Sequence, residues 1–284
     1  MSGSDPDTQR VEILDRWEQA AAGWGRRAGR VREMGMPVSM WMIEHLELKP
    51  GQRVLELAAG PGDTGFLAAE RILPGGTLVS TDAAEAMLEI ARARAGKLGI
   101  ENVEFSRLEL EWIDLPTASV DAILCRWGVM LSVDPGAAMG EMRRVLRPGG
   151  RLALAVWDDS SRNPWATIPG RVLVTLGHAE PPDPSAPGMF ALAAPGRLRE
   201  MLESAGFVEV SVEAVELDRS HESVDDYLAE TLDLSQAFAD VFGGLPEAGQ
   251  AEVKREVASL AAPFTQSDGS LSLPGSSLVA LANA

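Results

Sequence analysis

Residues 54–65 read VLELAAGPGDTG. An apolar run opens the segment, Gly60, Gly62 and Gly65 follow, and a helical pattern runs on from 64 to 73. A glycine-rich turn between a strand and a helix lets backbone approach a ligand closely. The helix start beyond it offers free N–H groups and a partial positive charge to a carboxylate or phosphate. Asp82 lies 22 residues past Gly60, at the end of the next apolar run, TLVSTD. A carboxylate there can accept hydrogen bonds from ribose hydroxyls. Turn and acidic strand end together point to an adenosine-type ligand on a doubly wound sheet. The plainer alternative is a set of ordinary turn glycines with a helix-capping Asp.

Working outward, strand and helix patterns alternate. Strands are expected at 53–59, 77–82, 103–109, 120–127 and 151–158, with helices at 64–73, 84–98 and 134–146. Strands separated by helices of this length argue for βαβ units and a parallel sheet. Strands so uniformly apolar suit burial on both faces. Further strands at 208–217 and 277–284 bring the sheet to seven. The expected fold is therefore α/β: a doubly wound, mostly parallel, Rossmann-like seven-stranded sheet with an N-terminal helical cap and helical or loop insertions. Val11, Leu14, Trp17, Ala21 and Trp24 recur at helical spacing, and Val38, Met42 and Leu46 repeat it after Pro37. Residues 1–47 then form a tail and cap, and 48–284 the core. The core carries a proline-rich insertion at 159–195 and an acidic, helical one at 219–266. Trp165 and Phe190 in the first insertion suggest an apolar lid over a hydrophobic small molecule.

The composition limits the function classes. The chain has 284 residues, 45% of them hydrophobic, and a net charge of −17. Such a surface repels nucleic acid and anionic membrane. No run of 18 apolar residues appears, so no membrane span is expected. The first residues, MSGSDPDTQR, show no secretory pattern, and a cytoplasmic location is expected. Cys125 is the single cysteine, which excludes an internal disulfide and a multi-cysteine zinc site, and no metal is expected.

Gly60, Gly62 and Gly65 also satisfy G-x-G-x-x-G, the spacing of a dinucleotide turn, which alone is a weak signal. An NAD(P)-dependent oxidoreductase is therefore an alternative. The short-chain type needs a Tyr with Lys four residues on, and Tyr227 is followed at that offset by Thr231. Three features point elsewhere. Glu56 lies inside the strand before the turn, Glu109 and Glu111 end the third strand, and RVLRPGGRLAL follows the fourth.

Together VLELAAGPGDTG, VSTDAAEAML, VEFSRLELEWIDLP, VDAILCRW and EMRRVLRPGGRLALAVW resemble the class I S-adenosylmethionine-dependent methyltransferases. Within that family the likeness is to the group around the ubiquinone/menaquinone-biosynthesis C-methyltransferases. It covers roughly 50–158, and AGFVEVSVEAVEL at 205–217 extends it. The resemblance implies S-adenosyl-L-methionine as cofactor, S-adenosyl-L-homocysteine as product and a small-molecule methyl acceptor. It places Glu56, Ala58, Gly60 and Gly62 at the methionine part of the cofactor and Asp82 at the ribose. Ala83 and Met87 would flank the adenine. Glu109 would accept from the adenine amino group, and the Leu110 N–H would meet the ring. Cys125, Arg126 and Trp127 would face the sulfonium and amino end. Ala58 stands where the family usually has glycine, and Glu109 where it usually has Asp. A cofactor-binding protein without catalysis is a further alternative, because fold does not fix function.

Outside the motifs, Trp24 can close over the cofactor or simply pack its helix onto the core, and Arg27 is a possible contact beside it. Arg126 can snorkel, pair with a carboxylate or hold the cofactor's own carboxylate. Cys125, in a buried strand, reads as a small hydrophobe rather than a nucleophile. His45 reads as structural. His178 and His221 are candidate general bases. Asp158, with Asp159, can orient a substrate or cap a turn. No catalytic residue is fixed by motif, because methyl transfer from an activated donor requires positioning first and a base only for some acceptors.

Overall fold

The computed structural model describes residues 5–183 and 186–284. The apolar run before the glycine turn forms β1 (Arg53–Leu57), buried at all but its first residue. It is an interior strand of a seven-stranded sheet. β2 (Thr77–Asp82) and β3 (Val103–Arg107) extend the sheet on one side. β4 (Val120–Arg126), β5 (Leu146–Trp157), β7 (Leu271–Asn283) and β6 (Val208–His221) follow in space on the other. β1 to β5 run parallel, and β7 is antiparallel between β5 and β6. Leu55 sits between Val79 and Ile123 in register, and Glu56 between Ser80 and Leu124.

α2 (Asp63–Arg71), α3 (Glu85–Leu98), α4 (Pro135–Val145) and α6 (Arg197–Ser204) flank this sheet. Val54, Leu55, Leu78, Ile123, Leu124, Met139 and Leu154 are fully buried in the main core. The chain leaves β1 for β2 and β3 and returns through β4. That reversal opens a crevice at the carboxyl ends of β1 and β4, where ligands bind in open α/β sheets.

α1 (Pro6–His45) is one 40-residue helix that continues through Pro37. Asp5 caps it, accepting from the Thr8 N–H, and Pro6 takes the first helical position. Its C-terminal half packs Val38, Met42 and Ile43 into the main core. Despite its length, neither it nor any other described helix is apolar enough to cross a membrane.

A second, smaller core joins α5 (Pro164–Thr175), α7 (Val224–Leu234), α8 (Gln236–Gly243) and α9 (Glu247–Ala261). Ile168, Val172, Leu228, Phe238 and Val253 fill it, together with Leu271 and Leu273 of β7. α5 lies inside the proline-rich insertion expected at 159–195. Pro164 occupies its first turn, where the missing N–H costs nothing. Pro169 cannot donate to the Trp165 carbonyl four residues back. The Tyr227 hydroxyl donates to that carbonyl instead, at 2.5 Å.

Candidate functional site

The turn after β1 is shaped by one buried acid. Glu56 is 2% exposed and accepts from the Gly65 N–H at 2.6 Å and Ser80 Oγ at 2.8 Å. A Cβ on Gly65 would overlap its carboxylate, so that position admits only glycine without rearrangement. Burial raises the Glu56 carboxyl to about 7, against the opposing pull of those two donors and of Arg126. Gly62, at φ 87°, is the N-cap of α2. A Cβ there would meet the Phe66 ring.

Asp82 ends β2 beside that turn. Its Oδ2 accepts from the Gly60 N–H at 2.8 Å and its Oδ1 from the Ala84 N–H at 3.0 Å. Burial raises its pKa, and Glu18 of α1 adds to the rise against the backbone N–H groups. Both oxygens keep lone pairs for a further donor.

The crevice is a cavity of about 240 Å³. Of the expected cofactor residues, Trp24, Glu56, Ala58, Gly60, Asp82, Ala83, Met87, Glu109, Leu110, Arg126 and Trp127 line it. Two of the expected residues, Gly62 and Cys125, do not line it. Gly62 lies behind the lining and serves the turn. Cys125 is fully buried in β4 without lining the cavity, and burial pushes its thiol up to about 12, an inert state.

None of the three weak catalytic candidates, Asp158, His178 and His221, lines the cavity. Asp158 holds a turn: its Oδ2 accepts from Ser276 Oγ at 2.8 Å and from Arg162 at 2.9 Å. His221, 3% exposed, lies among Arg30, Arg219, Asp226 and Glu230. Burial lowers its pKa against the pull of Glu230. His178 follows α5, where its N–H donates to the Leu173 carbonyl. No described residue of 159–195 lines the cavity.

The cover is α1. Arg10, Val11, Ile13, Leu14, Trp17 and Trp24 form one wall of the cavity. Trp24 fits both of its readings. It lines the cavity and also packs edge-on against Trp17, with ring centroids 5.5 Å apart, while its Nε1 donates to the Leu234 carbonyl. Glu18 accepts from the N–H groups of Glu85 and Ala86 at the start of α3. Arg27 pairs with Asp233 of α7 at 2.6 Å. Leu131 and Ser132 also line the cavity but belong to no motif read from the sequence, and the contact of Glu18 with α3 spans 67 residues.

Arg126 is the buried cation of the site. Its guanidinium lies 4.6 Å from the Trp127 ring centroid and 3.7 Å from Asp63. Its Nη1 is buried without a hydrogen-bond partner, and burial lowers its pKa. An unpaired buried donor of this kind is costly unless a ligand satisfies it. The site thus offers carboxylates at three neighbouring strand ends, one waiting cation and an aromatic cover. That donor set suits S-adenosylmethionine, which carries an amine, a carboxylate, ribose hydroxyls and a purine.

Comparison with known proteins agrees. Residues 48–173 match the family model described as Methyltransferase domain. A nocamycin O-methyltransferase from Saccharothrix syringae is 32% identical over 63% of this chain and 67% of its own length. A demethylmenaquinone methyltransferase from Thermus thermophilus is 33% identical over 56% and 76%, respectively. The fold is shared with the YcgJ protein of Bacillus subtilis, at a TM-score of 0.57 and 19% identity. That likeness covers 86% of this chain and 97% of that one. The chain belongs to the class I S-adenosylmethionine-dependent methyltransferases. It is an enzyme of that family, with S-adenosylmethionine as its cofactor, and the dinucleotide alternative is set aside.

Proposed function

We propose that this protein transfers a methyl group from S-adenosylmethionine, held in the α1-covered crevice, to a small hydrophobic molecule. The observation that carries the reading is the convergence of Glu56, Asp82, Glu109 and Arg126, whose Nη1 lacks a hydrogen-bond partner, on one cavity that Val11, Ile13, Leu14, Leu131 and Val133 also line. Bound there, the cofactor supplies an already activated methyl group on a sulfonium.

The chain's own residues supply placement. Glu56 holds the amine and Arg126 the carboxylate. Asp82 accepts from the ribose hydroxyls, while Glu109 and the Leu110 N–H meet the purine between Ala83 and Met87. Trp17 and Trp24 exclude water from above. Alignment of this kind contributes roughly 7–11 kcal/mol in favourable model systems. Val11, Ile13, Leu14, Leu131 and Val133 leave an apolar flank for the acceptor. Two relatives are named for small organic acceptors, nocamycin and demethylmenaquinone.

Incubation with methyl-labelled S-adenosylmethionine and a fractionated metabolite extract tests this. Label is expected in an apolar small-molecule fraction. Binding of the cofactor without transfer to any fraction would favour the non-catalytic alternative. Label on RNA or protein would overturn the acceptor class.

A further inference from the structure

Glu111 stands two residues past Glu109 yet points inward, at 8% exposure. Its two oxygens hold different parts of the molecule. Oε1 accepts from Ser132 Oγ at 2.6 Å and from the Asp134 N–H at 2.7 Å, in the segment after β4. Oε2 accepts from Arg10 Nε at 2.9 Å, in the first turns of α1. The Arg10 guanidinium also lies 4.6 Å from the Trp112 ring centroid. Arg10, Glu111 and Ser132 all line the cavity, as do Leu131 and Val133 beside them.

One carboxylate therefore joins three walls: the adenine-side turn at 108–111, the acceptor-side segment at 131–134 and the helical cover. Burial opposes the charge on Glu111, but Ser132, the Asp134 N–H and Arg10 outweigh it and hold the group ionised. Residues 5–8, 11 and 12 are exposed, whereas the C-terminal half of α1 is fixed in the main core.

We propose that Glu111 is a positioning residue that couples the cofactor half of the cavity to the acceptor half, with its Arg10 pair latching α1 over both. The inference rests on the reading of the cavity given under Proposed function. With Arg10 held on Oε2, the same carboxylate fixes Ser132 and Asp134 through Oε1, so one group holds both the cover over a bound cofactor and the segment after β4. Loss of Arg10 loosens the cover and leaves the segment after β4 less firmly held.

The test is a calorimetric titration with S-adenosylhomocysteine of the wild type, Arg10→Gln, Glu111→Gln and the double variant. Amide hydrogen exchange at 131–134 is followed with and without ligand. Arg10→Gln is expected to weaken binding about fivefold or more, as a coupling free energy of ordinary size would. The double variant should bind no more weakly than Glu111→Gln alone. Ligand should protect the Ser132 and Asp134 amides in the wild type and protect them less in Arg10→Gln, a response that mere loss of surface packing would not produce. Wild-type affinity in Arg10→Gln, independent effects of the two substitutions, or unchanged protection would overturn the coupling. Arg10 lies in exposed turns, so its variant decides even if Glu111→Gln does not fold. Absence of binding by the wild type would instead overturn the reading of the cavity, and the coupling with it.

Discussion

Glu56 is a carboxylate held in the apolar centre of a sheet, and its environment makes it pH-sensitive. Its folded pKa of about 7 exceeds the ordinary value of 4.5. Between those values the folded chain binds more protons than the unfolded chain. The stability Glu56 contributes is therefore fully present below 4.5 and lost as pH rises through about 7. Without ligand, Glu56→Gln should gain thermal stability relative to the wild type between about pH 5 and about pH 8. The cofactor amine needs the ionised form. Affinity of the wild type for S-adenosylhomocysteine should thus tighten as pH rises through about 7, and Glu56→Gln should flatten that rise. Parallel profiles for the two proteins would contradict the assignment. A neighbouring strain is equally specific. Ala58 sits at φ 51°, a left-handed conformation that costs an L-residue roughly 1–2 kcal/mol. A Cβ on Gly128 would overlap the Ala58 Cβ. Gly128→Ala should cost roughly 1–3 kcal/mol in urea unfolding, and adding Ala58→Gly should recover part of it. Strictly additive effects would contradict that contact.

At the scale of elements, α3 shows what sequence can and cannot reveal. Its span and its Gly99 stop were legible, because both signals are local. Its cap was not. The N-cap residue, Ala84, has no side-chain acceptor, and Glu18, 67 residues away from Glu85, supplies both carboxylate oxygens instead. Glu18→Ala should cost about 1 kcal/mol and speed exchange of the Glu85 and Ala86 amides. Unchanged exchange would show that α3 does not rely on the cover. The other departures have similar causes. β6 and β7 run longer than expected because the polar stretch 218–221 pairs with 271–274, carrying a two-stranded ribbon toward the second core. β5 begins at Leu146, the last residue of the helix expected at 134–146, because Leu146 already pairs with Val120.

Across the whole molecule, the two cores meet at a buried charge cluster. Arg219 pairs with Glu230 and lies 4.0 Å from the Trp165 ring centroid, while Arg30 of α1 reaches both Glu230 and Asp226. Removing one partner leaves the other charge buried and uncompensated. Glu230→Ala should therefore destabilise the protein by about 3–5 kcal/mol in equilibrium unfolding, and a cost below about 1 kcal/mol would mean that Arg219 finds water or another partner. This cluster was illegible from sequence, because Arg30 and Glu230 lie 200 residues apart; the helical cap and Trp24 were legible, but not the contacts of Arg10 and Glu18 that hold the cap, 101 and 67 residues from their partners. The sheet, the glycine turn and the acids at the ends of β1 and β2 were legible, since each follows from a local pattern.

A crystal structure with S-adenosylhomocysteine bound tests the cofactor assignment directly. The ribose hydroxyls are expected on Asp82, the purine against Met87 and Leu110 with its amino group at Glu109, and the amino-acid end between Glu56 and Arg126. A ligand seated elsewhere, or one that leaves Asp82 bonded to the Gly60 and Ala84 N–H groups alone, would contradict it.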